Sequence, residues 1–244
     1  MTDHNYHDFV VAFDLDDTLL RERDFCRSGF RMLCDRERYR VLPIDTYPQQ
    51  ETLDKLADEM DRRLTVRKNP FDAFEDFFRP LAENEGLKWD LQPHLDAYRD
   101  HLPDTLPLAD GAEDLLECLS CRGIKMALIT DGRSNTQRRK IEASGLQRFI
   151  DPRLIFISEE TGAEKKDSKE MFASVVRAFP EARRFIYVGN NPTKDFFFPN
   201  LLGWITMQVP PHPDDVHPPI EAPGAFYRPR ILLEQYIDLL KYLV

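Results

Sequence analysis

Short uninterrupted apolar runs punctuate the chain at Val10-Val11-Ala12-Phe13, Met126-Ala127-Leu128-Ile129, Leu154-Ile155-Phe156-Ile157 and Phe185-Ile186-Tyr187-Val188. Runs of this length without polar alternation suit parallel strands covered on both faces. Between the last three lie amphipathic stretches at 134–144 and 168–178. The second half therefore reads strand, helix, strand, helix, strand, as in an α/β core built on a parallel sheet. The first of these helices has defined ends, because Ser134 with Gln137 spells a capping box and Gly145 supplies a C-terminal stop.

Residues 21–107 break that rhythm. The segments 24–36, 49–66, 71–84 and 92–101 carry helical periodicity with no buried-strand run among them. A helical region is thus expected between the first strand and the rest of a core made of 1–20 and 108–244. Phe71, Phe74, Phe77 and Phe78 recur at helical spacing and are expected mostly to form the interior of that region. After a strand-like Trp204–Val209, a loop dense in proline (Pro210, Pro211, Pro213, Pro218, Pro219, Pro223) can be neither regular helix nor inner strand. A closing helix is predicted from Ile231 to Leu243.

A chain of 244 residues that is 42% hydrophobic can bury such a core and carry a sizeable insertion. Its net charge of -10, from 43 acidic against 33 basic residues, argues against a nucleic-acid partner, which needs a concentrated basic surface. No apolar run approaches the roughly 18 residues of a membrane span, and the first residues lack the layout of a secretory signal. A cytoplasmic protein with no membrane partner is expected. Among Cys26, Cys34, Cys118 and Cys121 there is one CxxC, and its Cys118 and Cys121 are expected to be buried or half-buried thiols rather than a metal or redox pair. His4, His7, His94, His101, His212 and His217 show no ligand spacing and are given no role.

The chemistry concentrates in Phe13-Asp14-Leu15-Asp16-Asp17-Thr18-Leu19. Three carboxylates at the end of a buried strand repel one another unless a cation or protons compensate them, and strand ends are where α/β proteins place ligands. On the acids alone, a solvated turn capping a helix is the competing account. Further along, Thr130 closes the second strand in Leu128-Ile129-Thr130-Asp131-Gly132. Paired lysines stand in Lys165-Lys166-Asp167-Ser168, and Gly189-Asn190-Asn191-Pro192-Thr193-Lys194-Asp195 follows the last strand.

This ordered set resembles the haloacid dehalogenase superfamily, whose DxDxT motif matches Asp14, Asp16 and Thr18. Its strand-end hydroxyl matches Thr130, and its last acid matches Asp195. The family's lysine is placed at Lys166, because Met171 and Phe172 then fall at the usual spacing, with Lys165 as the alternative. Two departures stand out: Asp167 replaces a common proline, and Asn190 replaces an aspartate.

The resemblance implies a Rossmann-like core with an inserted helical cap. It also implies a Mg2+-dependent phosphohydrolase acting on a small phosphorylated metabolite, a sugar phosphate or a nucleotide. Asp14 would be the nucleophile that becomes an aspartyl-phosphate, and Asp16 the general acid and then the general base. Thr130, Lys166 and the backbone around Asp131 and Gly132 would bind phosphate. Asp14, the Asp16 carbonyl, Asn190 and Asp195 would ligate magnesium, more weakly for want of a charge at Asn190. The acid at Asp16 disfavours the family's carbon–halogen cleavage. A catalytically weakened metabolite-binding or regulatory protein and a phosphotransferase or mutase are the alternative readings. Arg21, Arg23 and Arg27 are read as a solvated helix face, and the oligomeric state is left open.

Overall fold

The computed structural model describes residues 8–41, 50–217 and 219–243; His4, His7, Gln49 and Pro218 lie outside the described residues. The chain divides into two units, one of Met1–Arg21 with Pro107–Val244 and one of Glu22–Leu106.

In chain order the first unit contributes β1 (Phe9–Phe13), and the second contributes α1 (Glu22–Val41), α2 (Gln50–Arg67), α3 (Pro70–Asn84) and α4 (Gln92–Asp100). The first unit then resumes with α5 (Ala112–Cys121), β2 (Lys125–Thr130), α6 (Ser134–Ser144), β3 (Ile155–Ile157), α7 (Ser158–Thr161) and α8 (Glu170–Ala178). It ends with β4 (Arg184–Gly189), α9 (Pro192–Asp195), α10 (Phe197–Leu201), β5 (Ile205–Gln208) and β6 (Ile231–Leu232).

All pairings are parallel, in the order β3-β2-β1-β4-β5-β6. Register matters here: Phe13 pairs with Leu128 on one side and Val188 on the other. The residues just past β1 therefore lie between the ends of β2 and β4. Every residue of β1 is buried, as the absence of alternation predicts. Val10 and Ala12 on β1, Ala127 and Ile129 on β2, and Tyr187 on β4 share one face with Met171, Phe172 and Val175 of α8. Burying a side chain of that size is worth about 1.5–3 kcal/mol. At the other end of the first segment, Leu20 bridges antiparallel to Leu108, and the Ala109 N–H donates to the Leu19 carbonyl at 2.8 Å.

Two local expectations are corrected. The capping box at Ser134 and Gln137 does not form: Arg133 is the N-cap residue, with no side-chain cap bond, and Gln137 turns inward to tertiary acceptors. Gly145 does close the helix, at φ 67. The closing helix from Ile231 is instead β6, paired with Met207 and Gln208 of β5, followed by a short 3-10 helix at Tyr236–Tyr242. A vacant sheet edge outcompetes helical periodicity where the run begins Ile-Leu-Leu.

In the helical unit, Phe74 and Phe78 are buried and stacked at 4.6 Å between centroids, while Phe71 packs edge-on to Tyr98 at 5.2 Å. Gly29 lets α1 meet Tyr98, since a Cβ there would lie 2.4 Å from its ring. Arg23 forks onto Asp61 (2.7 and 2.8 Å) and Arg27 pairs with Asp58, whereas Arg21, in the first unit, reaches Asp215 at 3.1 Å. His94 is buried against Glu37, with Nε2 2.8 Å from Oε1. Its Nδ1 is 2.8 Å from the Asp90 carbonyl, and its ring stacks on Trp89. Among the described residues no helix is long and apolar enough to cross a membrane.

Candidate active site

Asp14 is the first residue beyond β1, held by its own N–H to the Val188 carbonyl at 2.9 Å. The chain then turns sharply: the N–H groups of Thr18, Leu19 and Leu20 all converge on the Leu15 carbonyl, and Asp17 takes φ 51, a region that aspartate tolerates better than most residues. That turn places Asp14, Asp16 and Thr18 at the carboxyl edge of the sheet, beside Thr130 at the end of β2 and Gly189 at the end of β4.

Asp14 is buried, and its Oδ1 accepts from Lys165 Nζ at 2.5 Å. The same ammonium donates to Asp195 Oδ1 at 2.7 Å. The other Asp195 oxygen accepts the N–H groups of Asn190 (3.0 Å) and Asn191 (2.7 Å). Gly189 makes room for this carboxylate, because a Cβ there would fall 2.5 Å from Asp195 Oδ2. Asp131 Oδ1 accepts the Lys165 N–H at 2.9 Å, fixing the backbone that presents the lysine.

The choice of Lys166 is thereby corrected. Its side chain is 46% exposed and pairs with Glu164 at 2.8 Å, whereas the Lys165 side chain is 3% exposed and reaches Asp14. The Gly132 N–H, expected in a phosphate cradle, is already given to Ser158 Oγ at 2.9 Å.

Burial pushes the Asp14 carboxyl up to about 7, with Lys165 pulling it down and Asp195 adding to the rise. Burial alone would depress Lys165, but Asp14 and Asp195 more than offset it and hold the ammonium well above its ordinary value. Asp131 is raised by burial, against the pull of Lys165. One ammonium thus serves two buried carboxylates.

Two residues that sequence reasoning passed over complete the cluster. Lys140 Nζ lies 2.6 Å from Asp16 Oδ1, and Gln137 Nε2 lies 2.9 Å from Asp16 Oδ2 and 2.7 Å from Thr130 Oγ1. Both stand on α6 in the stripe that also buries Ile141. Polar residues in the stripe where apolar ones are expected were the available signal.

A hard divalent cation fits the donors present. The Asn190 side chain makes no hydrogen bond among the described residues and offers an amide oxygen, and beside it two buried carboxylates, Asp14 and Asp195, share the single Lys165 ammonium. Asp195, expected as a ligand, has one oxygen engaged by Lys165 and the other by the backbone N–H groups of Asn190 and Asn191. Among the described residues, no group of three or more His, Cys, Asp or Glu is arranged to hold a metal. Any such site relies on amide and carbonyl oxygens as well.

Sequence comparison finds a ribulose-1,5-bisphosphate 5-phosphatase of Halopiger xanaduensis, 30% identical over 116 residues, covering 48% of each chain. The chain thus spans about half the length of that relative. A glyceraldehyde 3-phosphate phosphatase of Methanocaldococcus jannaschii is 25% identical over 82% of this chain and 83% of its own. Among solved structures, a HAD-hydrolase from Bacillus subtilis, crystallised with magnesium, superposes with a TM-score of 0.58 at 24% identity, over 96% of this chain and 97% of its own. That likeness concerns the fold. A family model for haloacid dehalogenase-like hydrolases matches residues 10–196, from the first strand through Asp195, and the chain belongs to that family.

Proposed function

We propose that this protein is a magnesium-dependent phosphatase that hydrolyses a small phosphorylated metabolite, a sugar phosphate or a nucleotide, through an aspartyl-phosphate on Asp14. One observation carries the reading: Asp14 is buried at a strand end with one oxygen held by Lys165 and the other without a protein partner among the described residues. A carboxylate fixed in this way keeps one oxygen oriented for in-line attack. The phosphatase names of the relatives support the substrate class.

In the proposed reaction, Asp14 Oδ2 bonds to phosphorus as the bond to the ester oxygen breaks, and Asp16 delivers its proton to that departing oxygen. Asp16 then takes a proton from water as the water oxygen attacks phosphorus, breaking the acyl-phosphate bond and restoring Asp14. Lys165, not Lys166, supplies the positive charge beside the phosphoryl group, and Asp195 holds Lys165 in place. Thr130 donates its hydroxyl to a phosphoryl oxygen. Magnesium, held by Asp14, the Asp16 carbonyl and Asn190, would neutralise charge between carboxylate and phosphate. The helical unit, inserted directly after the Asp14–Thr18 turn, is proposed to select the substrate.

Asn190 favours a second reading, a weakened enzyme that mainly binds its metabolite, since an amide brings no charge to the ion. The deciding measurement is phosphate release from a panel of sugar phosphates and nucleotides with and without magnesium. Release from one class, dependent on magnesium and absent in Asp14→Asn, is expected. Tight binding of a panel member with no release would establish the second reading instead.

A further inference from the structure

We propose that Gln137 and Lys140 are positioning residues that set the Asp16 carboxyl and the Thr130 hydroxyl from a single helix, α6. The inference rests on Asp16 being the acid and base of the reaction proposed above.

Both side chains belong to buried residues, 2% and 4% exposed. Placing an ammonium there is costly unless it is paired, and an aliphatic side chain would fill the same stripe of α6 without that cost. Packing therefore does not account for Lys140. Its Nζ takes Asp16 Oδ1 at 2.6 Å while Gln137 Nε2 takes Oδ2 at 2.9 Å. Holding both oxygens fixes the two torsions of the Asp16 side chain. The tight turn through Leu15 and Asp17 fixes only its backbone.

Gln137 extends this hold to the neighbouring strand. Its nitrogen also lies 2.7 Å from Thr130 Oγ1 and 3.0 Å from the Asp131 carbonyl. A carboxylate and a carbonyl can only accept, so the nitrogen end of the amide must face them. The Thr130 hydroxyl is within hydrogen-bond reach of the Gln137 amide and 3.4 Å from the Asp131 carbonyl, a long contact that a phosphoryl oxygen can replace. Gly132 leaves room for the amide, since a Cβ there would stand 3.2 Å from Gln137 Cδ, at a φ of 135.

The test is kcat/KM on an alkyl phosphate and an aryl phosphate, whose ratio reports protonation of the leaving oxygen. Lys140→Met is expected to lower the alkyl value by about 30-fold and the aryl value by less than about threefold, with Lys140→Arg recovering most of the loss. On an Asp16→Asn background, Lys140→Met should add less than about twofold, because a residue acting through Asp16 has nothing left to position. Equal losses on both substrates, or losses that multiply in the double variant, would overturn the proposal. So would an Asp16→Asn protein with an altered ratio beside a Lys140→Met protein with none. If Asp16→Asn itself leaves the ratio untouched, the assignment of Asp16 falls, and this inference with it. Should Lys140→Met fail to fold, Lys140→Gln enters the same cycle, with the same sign expected at smaller size.

Discussion

Each unit of the molecule buries charged side chains, and the two clusters are built on opposite principles. In the helical unit, Glu37 meets His94 at 2.8 Å with Arg36 at 4.0 Å, and the second imidazole nitrogen is engaged by the Asp90 carbonyl. In the α/β unit, Lys165 is shared between Asp14 and Asp195, and Asp14 Oδ2 has no protein partner among the described residues. Both clusters bear a desolvation cost, but only in the second do two carboxylates share one ammonium. Burial of charge does not by itself mark a functional site. A buried imbalance does, because something other than the protein must complete it.

The sharpest break of that comparison is Asp14→Asn, which should reduce turnover by at least about 10^4-fold, since an amide forms no acyl-phosphate. Thermal unfolding should be no lower than in the parent, because a member of a mutually repelling pair is neutralised. Retained turnover would remove the nucleophile from this account. Next, Lys165→Met should cost on the order of 10^2–10^3-fold in kcat, and Lys166→Met less than about twofold. The reverse pattern would restore the lysine favoured by motif spacing.

In the helical unit the same kind of surgery should act on stability instead. Glu37→Leu strands the His94 side chain and should lower unfolding free energy in urea by about 3–5 kcal/mol. The joint change Glu37→Leu with His94→Phe should recover most of it, while kcat/KM of the folded protein stays near the parent value. A large fall in kcat/KM would mean that the pair is not merely structural.

The smallest effect concerns the departure at Asn190. Asn190→Asp should lower the magnesium concentration for half-maximal activity by about tenfold, or ~1.4 kcal/mol, with the same shift in metal binding by calorimetry. An unchanged midpoint would take Asn190 out of the ion's ligand shell.

The strands were legible because burial on both faces writes itself as an unbroken apolar run, and β1 to β4 each carry one. Asp14 and Thr130 stand just beyond those runs, and with Asp195 they were picked out by their match to the family's ordered motifs. Lys165 was not legible against Lys166, because counting back from Met171 and Phe172 treats the intervening stretch as helix. α8 begins only at Glu170. In the turn before it, the N–H groups of Asp167 and Ser168 both return to the Glu164 carbonyl, and this turns Lys165 inward. Gln137 was misread for a related reason: its local pattern is that of a cap, but Asp16 and Thr130, distant in sequence or on another element, compete for its amide and win. The chain end was misread because β6 exists only as a partner of β5. What escaped in each case was a tertiary acceptor or edge that no local window contains.

The bridge from Leu20 to Leu108, with Leu19 bonded to Ala109, ties together the strands of chain that leave and re-enter the α/β unit. Because these two stems are fastened to each other, the closure of whatever lies between them is already fixed in the core. Lengthening such a loop costs only about 0.6 kcal/mol per doubling. The junction therefore works as a socket. Changes in the length of the segment it holds need not reach the turn that carries Asp14 and Asp16.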